Sequence, residues 1–373
     1  MKILLLTDGI YPYSLGGMQK HSFYLAKYLH QEVVLDVAMC VYETEELENA
    51  KSFSKDFEFK INDLLVVKFP ESVNFPGHYV YNSWRLSKQF FNYYKEKLST
   101  YDVIYAQGFT AWAFFSIPEN QRPPIISNLH GLEMYQEADN FKEKLVKNLL
   151  KIPANTIIKK SQINQSLGGK LTQLLSEKCP KEKIVDVGIG IEKNWLRNTD
   201  KISLNPIMTF AFIGRDEHRK GLHLLNPILL NLRKKGLKFK INFIGPIPEE
   251  KQLEGEEFIY HGKVMEEEKI KSILDQSDVL LLPSLSEGMP TVILEAMSRG
   301  LAIFATNVGA VAKMVNHENG ILIETINEKN IEQAITSLFE KDVLKMKIKS
   351  LEKVKKFLWE NVIFDYLKLF KSI

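Results

Sequence analysis

Two carboxylates and a set of cations carry most of the chemistry that this sequence offers. Ser286-Glu287-Gly288-Met289-Pro290-Thr291 follows the apolar run 279–283, and Glu295 stands seven intervening residues after Glu287. Pro290 suits a first helical turn, where its missing N–H is no loss. The amides of Gly288, Met289 and Thr291 would then face the strand edge and could hold phosphate or sugar oxygens. Glu287 in the loop and Glu295 in the helix would face one crevice and accept hydrogen bonds from ligand hydroxyls. The plainer account makes Glu287 a helix cap and leaves Glu295 exposed. However, Glu295 interrupts the apolar run 292–297, where a carboxylate needs a partner to offset its desolvation.

A second constellation is Gly214-Arg215-Asp216-Glu217-His218-Arg219-Lys220-Gly221, at the end of one core strand and the start of a helix. Arg215 as a planar fork and Lys220 as a point charge can converge there on a diphosphate. Basic residues at a helix start oppose the macrodipole, which favours an anionic ligand over a solvated surface. Gly16-Gly17 opens the first helix and lets backbone amides approach an anion, though a tight turn needs the same pair. It is neither Gly-x-Gly-x-x-Gly nor a phosphate loop ending Gly-Lys-Ser/Thr, so a dehydrogenase or phosphate-loop ATPase loses its main support.

His130 ends a core strand on the ligand-binding edge, with Glu133 and Tyr135 close enough in sequence to orient it or a substrate. His21 is a weaker candidate that faces solvent or packs. Residues 141–160 hold Lys142, Lys144, Lys147, Lys151, Lys159 and Lys160 against one acid, Glu143, with Phe141, Leu145, Leu149 and Ile152 at helical spacing. That stripe either packs on its own domain or rests on anionic lipid, giving an option of peripheral membrane contact. The loop 70–81, with Phe75, Pro76, Gly77, His78 and Tyr79, is a candidate lining for an acceptor site.

These residues need a scaffold. The runs 2–7, 33–40, 64–69, 103–107, 125–129, 162–165 and 183–187 read as strands, as do 208–213, 240–244, 258–261, 279–282, 302–305 and 321–323. Helical stretches such as 17–29, 83–98 and 141–151 alternate with them. Near-continuous apolar strands belong to parallel sheets covered on both faces, so the expectation is α/β, two doubly wound domains. The polar stretch 196–205 is the expected linker between a first domain, 1–195, and a second, 206–358. A charged amphipathic helix over 341–357 and a break at 359–361 would let the last helix leave the second domain.

The chain has 373 residues, enough for two cores. Its 49 Lys plus Arg against 46 Asp plus Glu leave a net charge of +3, which gives no reason to expect a nucleic-acid partner. Cys40 and Cys179 match no metal spacing and no disulfide framework, so a reducing, cytoplasmic setting is expected. The short apolar start meets Asp8 at once, unlike a signal peptide, and no run approaches a membrane span.

Taken together, Gly16-Gly17, His130, Gly214-Arg215 with Lys220-Gly221, and Glu287-Gly288 with Glu295-Ala296-Met297 resemble a family-4 glycosyltransferase, a nucleotide-sugar-dependent retaining enzyme of GT-B fold. The resemblance runs nearly end to end, and Phe357-Leu358-Trp359-Glu360 is similar to the family's crossover. It implies two Rossmann-like domains facing a central cleft, with 360–373 returning to the first domain. It further implies that Arg215 and Lys220 hold the donor diphosphate, that Gly288, Met289, Pro290 and Thr291 contact phosphate and sugar, and that Glu287 holds the sugar hydroxyls. Glu295 would bind the ribose diol, Gly16-Gly17 would approach the distal phosphate, and His130 would contact the transferred sugar. The base would lie beside Lys263 and Val264.

The implied reaction is transfer of a sugar from a UDP- or GDP-linked donor to a glycan or lipid-linked acceptor, in cell-surface polysaccharide synthesis. It would need neither cofactor nor metal, and would take place in the cytoplasm or at the inner face of the membrane. The sequence departs from the family pattern at Gly188-Ile189-Gly190, at Met289-Pro290, and at Ala310 and Lys313, changes that bear on specificity. A nucleotide-sugar epimerase of the same fold and a non-catalytic partner subunit are the alternatives.

Overall fold

The N-terminal run Ile3-Leu4-Leu5-Leu6 shows why the sheets are parallel and buried. In the computed structural model, which describes residues 1–14, 16–71, 75, 77–136, 138 and 140–373, alternate side chains of this run enter different cores. Ile3 and Leu5 join the cluster that includes Phe23, Leu29 and Tyr366, whereas Leu4 and Leu6 join Leu86, Phe90 and Phe114 on the other face. A strand covered on both faces has no polar side to offer, so period-2 alternation disappears from its sequence.

Two compact units result, Met1–Ile189 with Trp359–Ile373, and Gly190–Leu358. Among the described residues the first holds a seven-stranded parallel sheet. Its strands are β1 (Lys2–Leu6), β2 (Val34–Val41), β3 (Ile61–Lys68), β4 (Val103–Gln107), β5 (Ile125–Asn128), β6 (Ile163–Ser166) and β7 (Ile184–Asp186), ordered 3-2-1-4-5-6-7. The second holds six: β8 (Met208–Ile213), β9 (Phe239–Ile244), β10 (Phe258–Tyr260), β11 (Val279–Leu282), β12 (Ala302–Thr306) and β13 (Gly320–Ile323), ordered 10-9-8-11-12-13. Strand order reverses between β1 and β4 in one unit and between β8 and β11 in the other. In doubly wound sheets, the crevice beyond such a reversal is where ligands bind.

The expected α/β class and the thirteen strands are present, while several boundaries differ. Residues 190–205 group with the second unit rather than the first or a free linker, because the Ile191 amide donates to the Phe357 carbonyl at 2.8 Å and Ile191 bridges Leu358. The break before the last helix falls at Leu358, which is extended (φ −66°, ψ 139°), and the helix Trp359–Phe370 begins one residue later. Trp359 is fully buried and stacks on Tyr28 at 5.7 Å, which seats this helix on the first unit.

The helix expected over 83–98 starts earlier, at His78, and gives way to a 3-10 turn after Tyr94. The one expected over 141–151 runs on to Lys160 through Pro153, and Asn140 caps it by accepting from the Glu143 amide at 2.9 Å. Of the proposed acceptor loop 70–81, residues 72–74 and Pro76 lie outside the described residues.

Candidate functional site

In the second unit, glycine lets two loops at the β8/β11 reversal touch. Gly221 adopts φ +73°, and a Cβ there would collide with the Pro283 carbonyl. With the loops pressed together, the Leu285 amide donates to the Arg219 carbonyl at 2.7 Å. Gly309 (φ +53°) works the same way on the next loop, since a Cβ would strike the Glu287 and Gly288 carbonyls, and the Ala310 amide donates to Gly288 at 2.8 Å.

This clamp sets Glu287 opposite Lys220. The Lys220 ammonium donates to Glu287 Oε1 at 2.6 Å, the Ser284 hydroxyl donates to the same oxygen at 2.8 Å, and the Arg219 guanidinium lies 3.6 Å from Oε2. The Glu287 side chain is only 7% exposed and that of Lys220 14%. Buried charges survive when paired and hydrogen-bonded, and this carboxylate is both. The neighbouring Ser286 hydroxyl is buried without a partner among the described residues.

Arg215 departs from expectation. It does not converge with Lys220; its side chain is 69% exposed and pairs with Glu217 at 2.7 Å. Glu217 captures it because the intervening acid offers each oxygen to a different arginine, Oε1 to Arg215 and Oε2 to Arg219 at 2.8 Å. The cation that joins Lys220 at Glu287 is Arg219. Lys220 itself ends a 3-10 turn (His218–Lys220), ahead of the helix Leu222–Lys234.

Pro290 caps the helix Thr291–Ser298 in an extended conformation, one position outside the first turn where it was expected. Met289 is buried. Glu295, in the second turn of this helix, is 6% exposed, so the reading of it as a surface carboxylate fails. Lys263 is exposed and Val264 half-buried, just past β10 and Gly262, whose carbonyl accepts from the Gly245 amide at 2.8 Å.

In the first unit, Gly16 (φ +156°) precedes the helix Gly17–Leu29, and a Cβ at Gly17 would meet nothing within 4 Å. A side chain at Gly17 would therefore be tolerated, and internal packing does not require glycine there. His130 is held in the left-handed region (φ +58°) after β5. Its amide donates to Asn128 Oδ1 at 2.8 Å, so Asn128, and not Glu133 or Tyr135, positions its backbone. Tyr135 instead donates to Asn155 at 2.7 Å.

His21 is buried rather than solvent-facing. It meets His130 edge-on at 5.3 Å between ring centres, and its Nε2 lies 3.2 Å from the Tyr366 hydroxyl. Burial pulls the His130 imidazole down to about 3, and burial followed by His130 pulls His21 well below the ordinary histidine range. His21 Nδ1, His130 Nε2, Gln107 Nε2 and Gln165 Oε1 are all buried without partners among the described residues. Both imidazoles are thus neutral hydrogen-bonding groups, not cations, at physiological pH.

Sequence reasoning missed Arg219, Ser284, Gly309 and Asn128. Arg219 stood beside Lys220 and Ser284 three residues before Glu287, so adjacency to named candidates was the available signal. Among the described residues, no group of three or more His, Cys, Asp or Glu side chains is arranged to hold a metal ion, and no helix is long and apolar enough to cross a membrane.

Residues 208–341, which include this clamp, match the family model described as Glycosyl transferases group 1. Bacillus subtilis TuaC, a putative teichuronic acid biosynthesis glycosyltransferase, is 28% identical over 138 residues, covering 37% of this chain and 34% of that protein. The matched segment thus spans about a third of that relative's length. Among solved structures, sucrose-phosphate synthase from Thermosynechococcus elongatus superposes with a TM-score of 0.77 at 15% identity, over 100% of this chain and 98% of that one. Anabaena HepE, crystallised with UDP and glucose, gives 0.71 at 16% identity over 100% of both chains. The fold is GT-B.

Proposed function

We propose that this protein is a glycosyltransferase that moves a sugar from a UDP- or GDP-linked donor to a glycan or lipid-linked acceptor, with retention, in the synthesis of a cell-surface polysaccharide. The observation that carries the reading is the Lys220–Glu287 pair, 2.6 Å apart and clamped at the strand reversal of the second sheet. The UDP and glucose named with HepE, and the teichuronic acid named with TuaC, agree with the proposed donor and product classes.

In this reading Lys220 exchanges Glu287 for the donor diphosphate, and Arg219 supplies the second cation, with Arg215 able to swing in from its exposed position. Glu287, freed from Lys220, accepts hydroxyls of the transferred sugar. The amides of Gly288 and Thr291 face phosphate and sugar, Glu295 takes the ribose diol, and the base lies beside Lys263 and Val264. Positive charge grows on the sugar ring as negative charge grows on the leaving diphosphate. Fixed cations and helix-terminal amides stabilise that charge where it develops. These cations can do what a metal ion would, so the proposed transfer needs no metal and no cofactor. The leaving phosphate deprotonates the acceptor hydroxyl on the same face, which retains configuration.

A thermal-shift panel tests this: Tm rises with UDP or GDP and not with NAD or ATP. No rise with either diphosphate counts against the reading.

One exposed surface favours peripheral membrane contact as well. The helix Phe141–Lys160 buries Pro153, Ala154, Ile157 and Ile158, while Phe141 (84% exposed), Leu145, Val146 and Ile152 stay in solvent beside Lys142, Lys144 and Lys151. Its first three turns therefore spend little of their apolar face on the fold, the arrangement of an interfacial helix near anionic headgroups at the inner membrane face.

A further inference from the structure

The second unit carries a recess of about 450 Å³ outside the clamp, between the end of β13 and the helix Glu328–Ser337. Its walls follow from the local sequence. Asn327 caps the helix by accepting from the Asn330 amide at 2.8 Å, and Ile331 and Ile335, four apart, are fully buried in the core of this unit. Asn330 and Gln333, three apart on a neighbouring face, are left to line the recess. Leu322 and Ile323 of β13 stand opposite, and the exposed Glu324 and Thr325 follow them.

β13 is the last strand of its sheet. The Asn307 amide donates to the Ile323 carbonyl at 2.7 Å, so Ile323 bonds toward β12, and the alternation of a strand turns the N–H and C=O of Leu322 to the open edge. Among the described residues no strand pairs with that edge. Asn330 spends one amide hydrogen on the Thr325 carbonyl at 3.2 Å, and Asn307 Nδ2 donates to Glu324 at 2.6 Å. The recess thus gathers a backbone amide and carbonyl, two carboxamides, a hydroxyl and one carboxylate.

These groups select by chemistry. Among the described residues the lining holds no cation to meet a phosphate and no aromatic ring to stack a base. Carboxamides, hydroxyls and backbone groups donate and accept side by side, as do the neighbouring hydroxyls of a sugar. Leu322, Ile323 and Ala334 offer an apolar floor for its C–H groups. The volume lies within the range of small-ligand sites, roughly 300–1,000 Å³.

We propose that this recess is a second saccharide site, in which Thr325, Asn330, Gln333 and the Leu322 backbone hold a neutral stretch of glycan. Its role rests on the transferase reading and deepens it. The recess lies at the C-terminal end of the same sheet as the clamp, two strands from β11, about 10 Å at the usual strand spacing. Glycan anchored there keeps its chain beside the donor clamp, so longer acceptors gain affinity through effective concentration.

Calorimetric titration of the full chain tests this, with maltotetraose, cellotetraose, mannotetraose and chitotetraose as neutral probes and tetragalacturonate as the anionic contrast. At least one neutral tetrasaccharide binds the wild type, with the same affinity when UDP is present in excess. Gln333→Ala combined with Thr325→Val weakens that binding about tenfold or more, while Tm and its rise with diphosphate stay at wild-type values. Asn330 is left intact, since it ties the loop through the Thr325 carbonyl.

No binding of any neutral tetrasaccharide, equal binding in the double variant, or displacement by UDP overturns the proposal. So does tighter binding of tetragalacturonate than of every neutral probe. Binding of a capped, extended peptide of alternating threonine and valine in place of the sugars also overturns it, and assigns the open edge to a partner's strand. Tetrasaccharide binding that the double variant weakens, with no Tm response to UDP or GDP, upholds the site and defeats the transferase reading instead.

Discussion

The strand-reversal edges of the two sheets are built on opposite electrostatic plans. At β8/β11, charges answer one another: Lys220 and Arg219 meet Glu287, and Arg215 and Arg219 share Glu217. At β1/β4 and the adjoining β5 and β6 ends, two histidines are held neutral and, among the described residues, Asp8 has no cation and Gln107 and Gln165 each leave a buried atom unpartnered. A preformed ion pair waits for a charged ligand that can exchange partners with it. Desolvated polar atoms without partners wait for a neutral, hydroxyl-rich one, because each hydrogen bond a ligand completes removes a standing desolvation penalty. The contrast is between an edge whose charges are already paired and one whose polar atoms are held neutral, and the first is where the proposed function seats a diphosphate.

The sharpest way to break the comparison is to remove its central cation. Lys220→Ala is expected to lower transfer by about 10²- to 10³-fold, since it withdraws a fixed charge from the leaving group. Tm should move little, because Glu287 keeps Ser284 and Arg219 as partners. A steady-state comparison of diphosphate release checks it, and activity within threefold of wild type would break the assignment.

A smaller effect sharpens the other side. With the folded pKa values of His21 and His130 depressed, the unfolded chain binds protons that the folded one refuses, so stability falls as pH drops below about 6.5. Melting curves from pH 7.5 to 5 should show Tm declining, and His21→Asn should flatten the decline. An unaltered slope would mean that this edge does not hold its imidazoles neutral.

The smallest effect belongs to Arg215. Exposed and, among the described residues, paired with Glu217, it contributes on the order of 1 kcal/mol or less to stability. Arg215→Ala should leave Tm within about a degree and weaken UDP binding less than Lys220→Ala does. A larger loss than that of Lys220→Ala would reverse the order of the two cations.

What the sequence disclosed follows from the range of each interaction. Continuous apolar runs such as 3–6 and 279–282 marked buried parallel strands because two-sided burial leaves a local trace. Glu287 and Lys220 were each visible in their own loops, but their pairing spans 67 positions and depends on two glycines that bring the loops together. Arg215 was misplaced because spacing in an irregular loop does not fix side-chain direction, and Glu217 between the two arginines decided it. Gln107 read only as the end of a strand; that its Nε2 is buried without a partner among the described residues is something no one-dimensional pattern carries.

The central claim, that Lys220 leaves Glu287 to grip a diphosphate, is tested most directly by calorimetric titration of UDP and GDP into the wild type, Lys220→Ala and Glu287→Gln. Loss of a charge-assisted contact predicts affinity about tenfold to a hundredfold weaker in Lys220→Ala. Glu287→Gln, which frees the ammonium from its competitor, should bind at least as tightly as wild type. Equal affinity in all three proteins, or weaker binding in Glu287→Gln than in Lys220→Ala, would contradict it.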